Sequence, residues 1–265
     1  MILDTIASLT KKRVEYAKRK VSLLELTSQI YCEGSIKSFN KRDNFAFEKA
    51  LKNKGMSFIC EVKKASPSRG IISPDFLYQD IAKEYEKAGA SAISVLTEPE
   101  YFKGRDYHLK EISCLVSIPV LRKDFIIDKY QIYETKLLGA DAVLLICSLL
   151  STDILRQFIA ICDELGLSTL VEAHTKEEIA CAIEAGARVI GVNNRNLQTF
   201  EVDIQNCVTL RSYVPENIIY VAESGIQTQE DISMLEKVGV DAVLIGEALM
   251  KCPDKKAMLS YLKGK

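Results

Sequence analysis

The sequence predicts an α/β chain folded as a (β/α)8 TIM barrel with an N-terminal helical extension. Three observations carry that expectation. Eight short runs rich in Val, Ile and Leu recur along the chain, segments with helical periodicity separate them, and one glycine-centred junction repeats at a fixed interval.

The extension comes first. Ile2, Leu3, Ile6 and Leu9 recur at helical spacing, a basic helical stretch follows through Lys20, and a second helix is expected over Phe45 to Lys54. Roughly 55 residues thus precede the first strand, more than a plain barrel needs. The strands are expected at Ser57–Val62, Ala92–Leu96, Ile118–Leu121, Ala142–Ile146, Ser168–Val171, Val189–Val192, Ile218–Val221 and Ala242–Ile245. Runs apolar on both faces suit a parallel sheet covered by helices, such as the segment from Asp80 to Lys87.

The repeat favours a closed barrel over a doubly wound sheet. Ala88-Gly89-Ala90, Leu138-Gly139-Ala140, Ala185-Gly186-Ala187 and Val238-Gly239-Val240 each end a helix and feed a strand, about every 50 residues. They precede strands two, four, six and eight, which fits a barrel whose layers alternate between odd and even strands. No Pro/Gly/Ser-rich linker divides the chain. Residues 1–265 are therefore read as a single domain, with 1–56 as the extension.

Composition narrows the function classes. Apolar residues make up 48% and charged residues 27%, and the formal net charge is −1. That balance argues against a nucleic-acid partner. The basic cluster at Lys11, Lys12, Arg13, Lys18, Arg19 and Lys20 reads first as a solvated helix face, with attraction of a phosphate or RNA as the alternative. The longest apolar run, Ala142 to Cys147, is far too short to cross a membrane, and no signal peptide opens the chain. The eight cysteines are scattered with no C-x-x-C pair, as expected of reduced thiols in a cytoplasmic protein, and two histidines make a His-based metal site hard to assemble.

Active sites of this fold lie at the C-terminal ends of the strands. There the sequence places Glu61, Lys63, Lys64 and Ser66 after strand one, Arg122, Lys123 and Asp124 after strand three, and Glu172 and His174 after strand five. Asn193 and Arg195 follow strand six, Glu223 and Ser224 strand seven, and Glu247 strand eight. Glu61 and Lys63, two apart, point the same way. So many polar groups at one mouth are better explained by catalysis or binding than by stability. Arg122, Asp124 and His174 could each be rim residues. Ser224-Gly225-Ile226 and Ile245-Gly246-Glu247 put small residues where backbone amides can approach an anion, each ahead of a helix, with Thr228 as a cap. That pair reads as a phosphate clamp, which specifies a phosphorylated ligand and no reaction.

These segments resemble one family. Glu61-Val62-Lys63-Lys64-Ala65-Ser66-Pro67-Ser68, Leu121-Arg122-Lys123-Asp124-Phe125-Ile126, Leu170-Val171-Glu172-Ala173-His174, Ile190-Gly191-Val192-Asn193-Asn194-Arg195-Asn196-Leu197 and Ala222-Glu223-Ser224-Gly225-Ile226 are similar, in order and spacing, to the motifs of indole-3-glycerol-phosphate synthases. The resemblance implies ring closure, decarboxylation and dehydration of 1-(2-carboxyphenylamino)-1-deoxyribulose 5-phosphate, with no cofactor and no metal. It implies Lys123 as general acid, its pKa expected to be lowered by nearby cations, and Glu172 as base. Lys63 would assist and hold the substrate carboxylate, and Glu61, Asn193 and Ser224 would orient. Ser66, Arg195, Gly225, Gly246 and Glu247 would bind substrate and phosphate. Glu247 departs from the serine that several relatives carry there, and is tolerable if its carboxylate points away. The alternative is another phosphate-binding barrel lyase using a Schiff-base lysine. A monomer or weak homodimer is expected.

Overall fold

The computed structural model describes residues 2–32, 35–36, 42–52, 55–196 and 199–264. Helix α1 spans Ile2–Lys20 and α2 Leu23–Ile30, where Ser22 and Glu25 form a reciprocal capping box. The short α3, Ala46–Leu51, replaces the longer helix expected to Lys54, a residue outside the described set.

The barrel strands are β1 (Ser57–Val62), β2 (Ala92–Leu96), β3 (Val120–Lys123), β4 (Ala142–Ile146), β5 (Ser168–Ala173), β6 (Val189–Asn193), β7 (Ile219–Glu223) and β8 (Ala242–Ile245). All pair in parallel in chain order, and β8 closes on β1 through Ala242 opposite Ser57. The expected strands match these within a few residues. The third starts at Val120 rather than Ile118, because Pro119 cannot donate to the ladder and instead accepts from the Ile93 amide. At the four repeated junctions the glycines take φ between +80 and +91, the left-handed turn that ends each helix.

Alternation along each strand divides the core in two. Ile59, Ala92, Leu121, Leu144, Leu170, Val221 and Leu244 point inward, and Phe47 and Leu51 of α3 join this interior cluster. Helix α3 therefore plugs the N-terminal end of the barrel, secured by Arg188 paired with buried Glu48 at 2.9 Å. The opposite residues of the strands pack outward against the helices. These are α4 (Tyr78–Lys87), α5 (Asp106–Leu115), α6 (Lys129–Leu137), α7 (Thr152–Glu164), α8 (Lys176–Glu184), α9 (Gln205–Leu210), α10 (Gln229–Lys237), α11 (Glu247–Lys251) and α12 (Lys255–Leu262). With the bottom plugged and the middle filled by aliphatic side chains, room for a ligand remains at the C-terminal mouth.

Candidate active site

A cavity of about 580 Å³ occupies that mouth. Its wall includes each residue given a catalytic or binding role above: Glu61, Lys63, Ser66, Lys123, Glu172, Asn193, Arg195, Ser224, Gly225, Gly246 and Glu247, but not Lys64, Arg122 or His174. Glu223 lines it too, as do Ile2, Leu3 and Ile6 of α1 and the rings of Phe102 and Phe125, 6.1 Å apart. The N-terminal extension thus forms part of the cavity rather than decorating the barrel.

The inward positions at the strand ends set the chemistry. Lys123 Nζ donates to Glu172 Oε2 at 3.0 Å and to Glu223 Oε2 at 2.8 Å. Asn193 Nδ2 donates to the other Glu172 oxygen at 3.2 Å, while its Oδ1 accepts from the Arg195 amide. On β1, Lys63 Nζ lies 2.5 Å from Glu61 Oε1, as two residues on one face should. Three buried carboxylates, Glu61, Glu172 and Glu223, thus share two lysines.

That imbalance shapes the ionisation. Burial would lower Lys123, but Glu172, Glu223 and Glu61 together raise it well above an ordinary lysine. This corrects the expectation that cations would depress it. The nearest cation in sequence, Arg122, points outward, fully buried among Asp106, Asp124 and Glu134. Burial also pushes Glu172 up, yet Lys123, His174 and the hydrogen bonds from Lys123 and Asn193 bring it below the usual carboxylate value. Glu223 carries the residual cost: burial, only partly offset by Lys123 and reinforced by Glu172, raises it to about 7. Its Oε1 has no hydrogen-bond partner among the described residues.

Glu223 is the functional residue that the sequence placed at the mouth without giving it a role. It was visible at the end of strand seven, but its pairing with Lys123 depends on which strand ends meet in space. Asp124 and Arg122 are not bare rim residues either. Asp124 accepts from Arg13 of α1 at 2.8 and 2.9 Å and from Thr97 at 2.8 Å, which ties the extension to the residue beside Lys123. His174 stands behind Glu172, outside the cavity wall, with Nε2 3.5 Å from Glu172 Oε1 and Nδ1 3.2 Å from Glu178 Oε2.

At the phosphate-clamp positions, Ser224 and Gly225 take φ of 65 and 84, and Gly246 caps α11. Helix α10 starts after Thr228, whose side chain and Asp231 form a capping box. The Glu247 carboxylate does not point away. It lines the cavity, 3.0 Å from Arg69, 2.6 Å from Lys251 and 3.8 Å from Arg195.

Known proteins bear on this arrangement. The family model described as indole-3-glycerol phosphate synthase matches residues 3–262. The enzyme of that name from Ruminiclostridium cellulolyticum is 59% identical over 264 residues, covering 100% of this chain and 99% of its own. That from Endomicrobium trichonymphae is 55% identical, covering 99% and 100%. Among solved structures, 3-hexulose-6-phosphate synthase from Salmonella typhimurium aligns with a TM-score of 0.62 at 15% identity, covering 79% of this chain and 97% of its own, a likeness of fold alone.

Proposed function

Since this chain belongs to the indole-3-glycerol phosphate synthase family, we propose that the cluster around Lys123 closes 1-(2-carboxyphenylamino)-1-deoxyribulose 5-phosphate to indole-3-glycerol phosphate with loss of CO2 and water. The activity is that of a carboxy-lyase of tryptophan biosynthesis acting on a phosphorylated small molecule. One observation carries the assignment of roles: a lysine held charged between two buried carboxylates at the floor of the cavity.

Lys123 is the acid. The aromatic carbon bearing the carboxylate attacks the ketone, whose oxygen takes the Lys123 proton as the new bond forms. Loss of CO2 restores the aromatic ring, and the hydroxyl then leaves with acid help. Glu172, held ionised and oriented by Asn193, removes the proton from the carbon next to the ring nitrogen. Glu223 accepts from Lys123 on the other side and, in its ionised form, adds to the negative charge that keeps the ammonium protonated. Lys63, positioned by Glu61, holds the substrate carboxylate and assists dehydration. Ser224 orients the substrate. Ser66, Arg195 and the amides at Gly225 and Gly246 hold the phosphate end, with Glu247 beside them. A charged Lys123 lacks the lone pair a Schiff base requires, which disfavours the aldolase-like alternative. Unpaired thiols at the described cysteines support a cytoplasmic enzyme, and the near-neutral charge supports one without a nucleic-acid partner; we read it as a monomer or weak homodimer with no membrane partner.

Two variants test the roles. Lys123→Met should fold and bind substrate but lose about 10²–10⁴-fold in rate; retention of half the wild-type turnover would remove Lys123 as the acid. In Glu172→Gln, CO2 release in a single turnover should run ahead of indole formation. Equal slowing of both would move Glu172 to the first step.

A further inference from the structure

The reaction consumes a proton. With the substrate carboxylate ionised, substrate and one proton give indole-3-glycerol phosphate, CO2 and water. Within the site the ketone oxygen takes one proton as the bond forms and a second as the hydroxyl leaves as water, while Glu172 recovers one from carbon. Two protons go out and one comes back, so each cycle draws one from solvent. The cavity mouth through which it could enter is the place where substrate and product sit.

The structure offers a second route. Behind Glu172 lies a row of groups leading to the outer surface: Glu178 Oε2 is 3.2 Å from His174 Nδ1, His174 Nε2 is 3.5 Å from Glu172 Oε1, and Glu172 Oε2 is 3.0 Å from Lys123 Nζ. Exposure rises along it, the side chains of Glu172, His174 and Glu178 being 3%, 16% and 23% accessible. Glu178 also accepts from the His174 backbone amide at 2.7 Å, which sets its carboxylate beside the ring. The buried Nε2 makes no hydrogen bond among the described residues and faces Glu172 Oε1 across 3.5 Å.

We propose that His174 is a proton relay that recharges Glu172, and through it Lys123, from the outer side of the barrel. The imidazolium passes its Nε2 proton to Glu172 Oε1, and Glu172 passes a proton from Oε2 to the neutral amine of Lys123. The ring left neutral keeps its proton on Nδ1, and turning about its bond to Cβ brings the bare nitrogen from the buried side to the partly accessible one, where solvent protonates it. The surroundings favour a ring that carries the proton. Burial lowers the His174 pKa, but Glu178 on α8, Glu172 at the end of β5 and, when ionised, Glu223 on β7 face it and raise it overall. From the turn after β4, the Cys147 thiol donates to the Glu178 carbonyl at 3.5 Å, and burial pushes it up to about 12, so it stays a thiol. From α9, Asn206 donates to the His174 carbonyl and is uncharged.

The relay rests on Glu172 and Lys123 having the roles proposed above, and rapid mixing with substrate, followed by indole fluorescence, separates the two. In His174→Gln the preloaded site should complete its first turnover at the wild-type rate, one product per chain. Later turnovers should be slower by about 10-fold or more, the cost of losing a positioned proton carrier. In His174→Ala, added imidazole should restore the steady-state rate in proportion to its protonated fraction. Equal slowing of the first and later turnovers, with no response to imidazole, would overturn the relay and leave His174 as a support for Glu172. Unchanged steady-state turnover would overturn it as well, placing proton entry at the mouth. If instead Glu172→Gln keeps a normal first turnover, the base assignment fails, whatever the histidine variants do.

Discussion

Gly191 has no room for a side chain because the Glu223 carboxylate occupies the space: a β-carbon there would fall on Glu223 Oε1 and come within 3.1 Å of Leu170. A glycine inside a strand costs stability through its flexibility, and here it makes space for the group that holds Lys123. Gly191→Ala should leave the barrel folded while displacing Glu223 from Lys123. Turnover should fall about 10–100-fold, the scale of a misplaced catalytic group. Steady-state kinetics beside a thermal melt checks this; a folded variant with normal turnover would show that the Glu223 position is not needed.

The same carboxyl makes stability depend on pH in an unusual direction. Burial raises Glu223 from 4.5 to about 7 in the folded chain. Between those values the folded state keeps a proton that the unfolded state has released, so stability falls as pH rises through this window, and the cost is complete above about 7. Glu223→Gln removes it. The variant should be more stable than wild type at pH 8, by on the order of 2–3 kcal/mol, with most of that gain gone at pH 5. It should also lose activity, as expected where a site holds destabilising charge. Urea unfolding at the two pH values measures the difference, and a gain independent of pH would mean that Glu223 does not titrate there.

Arg13 links the extension to the catalytic floor. It makes a two-bond contact with Asp124, whose side chain is fully buried and also paired with Arg122. Burial opposes ionisation of Asp124, but Arg13 and then Arg122 hold its pKa below the ordinary 3.8. For a depressed carboxyl, the stabilisation is present above the unfolded value and is lost as pH falls through the folded one. Arg13→Ala should therefore destabilise by about 1.5–3 kcal/mol at neutral pH, and the gap to wild type should narrow only below about pH 4. Turnover should fall with it, because Asp124 adjoins Lys123. Unfolding curves at pH 7 and pH 3.5 test the first point; full turnover in the folded variant would separate the extension from catalysis.

Much of the barrel was legible because its signals are local. Apolar runs mark β1 to β8, and the repeated glycines mark where helices stop. Helix α2 was missed although Ser22-Leu23-Leu24-Glu25 spells a capping box, since Leu24 is 79% exposed and blurs the amphipathic pattern. The clustering of strand-end residues followed from the fold, but their electrostatics did not. The period-two reasoning that paired Glu61 with Lys63 also sends Arg122 outward and Lys123 inward. Applied to strand three, it would have replaced the expected cationic surroundings with glutamates. The Glu223–Lys123 pair joins strands 100 residues apart, and no local pattern encodes that distance; the row from Glu172 to Glu178 is local, but the turn from β5 into α8 sets its spacing.

Glu247 sets up the last prediction. Its carboxylate lines the cavity among Arg69, Lys251 and Arg195, beside the Gly225 and Gly246 amides assigned to phosphate. Those cations hold it ionised, against the effect of burial, so an incoming phosphate meets a competing anion. Gly246 itself is a poor place to probe the clamp. A β-carbon there would collide with Glu61 Oε1 and reach 3.0 Å from Lys63 Nζ, disturbing the pair that holds the substrate carboxylate. Glu247→Ser avoids that. Two like charges several ångströms apart near a surface repel by about 1 kcal/mol, so the Michaelis constant should drop roughly 5-fold at low salt. Turnover at saturation should stay the same, because Lys123 and Glu172 are untouched. Raising the salt to about 0.5 M should erase most of the gain through screening. A Michaelis constant that rises instead would mean that Glu247 keeps Arg69, Lys251 and Arg195 in the positions that receive the phosphate, and that its charge organises the clamp rather than opposing it.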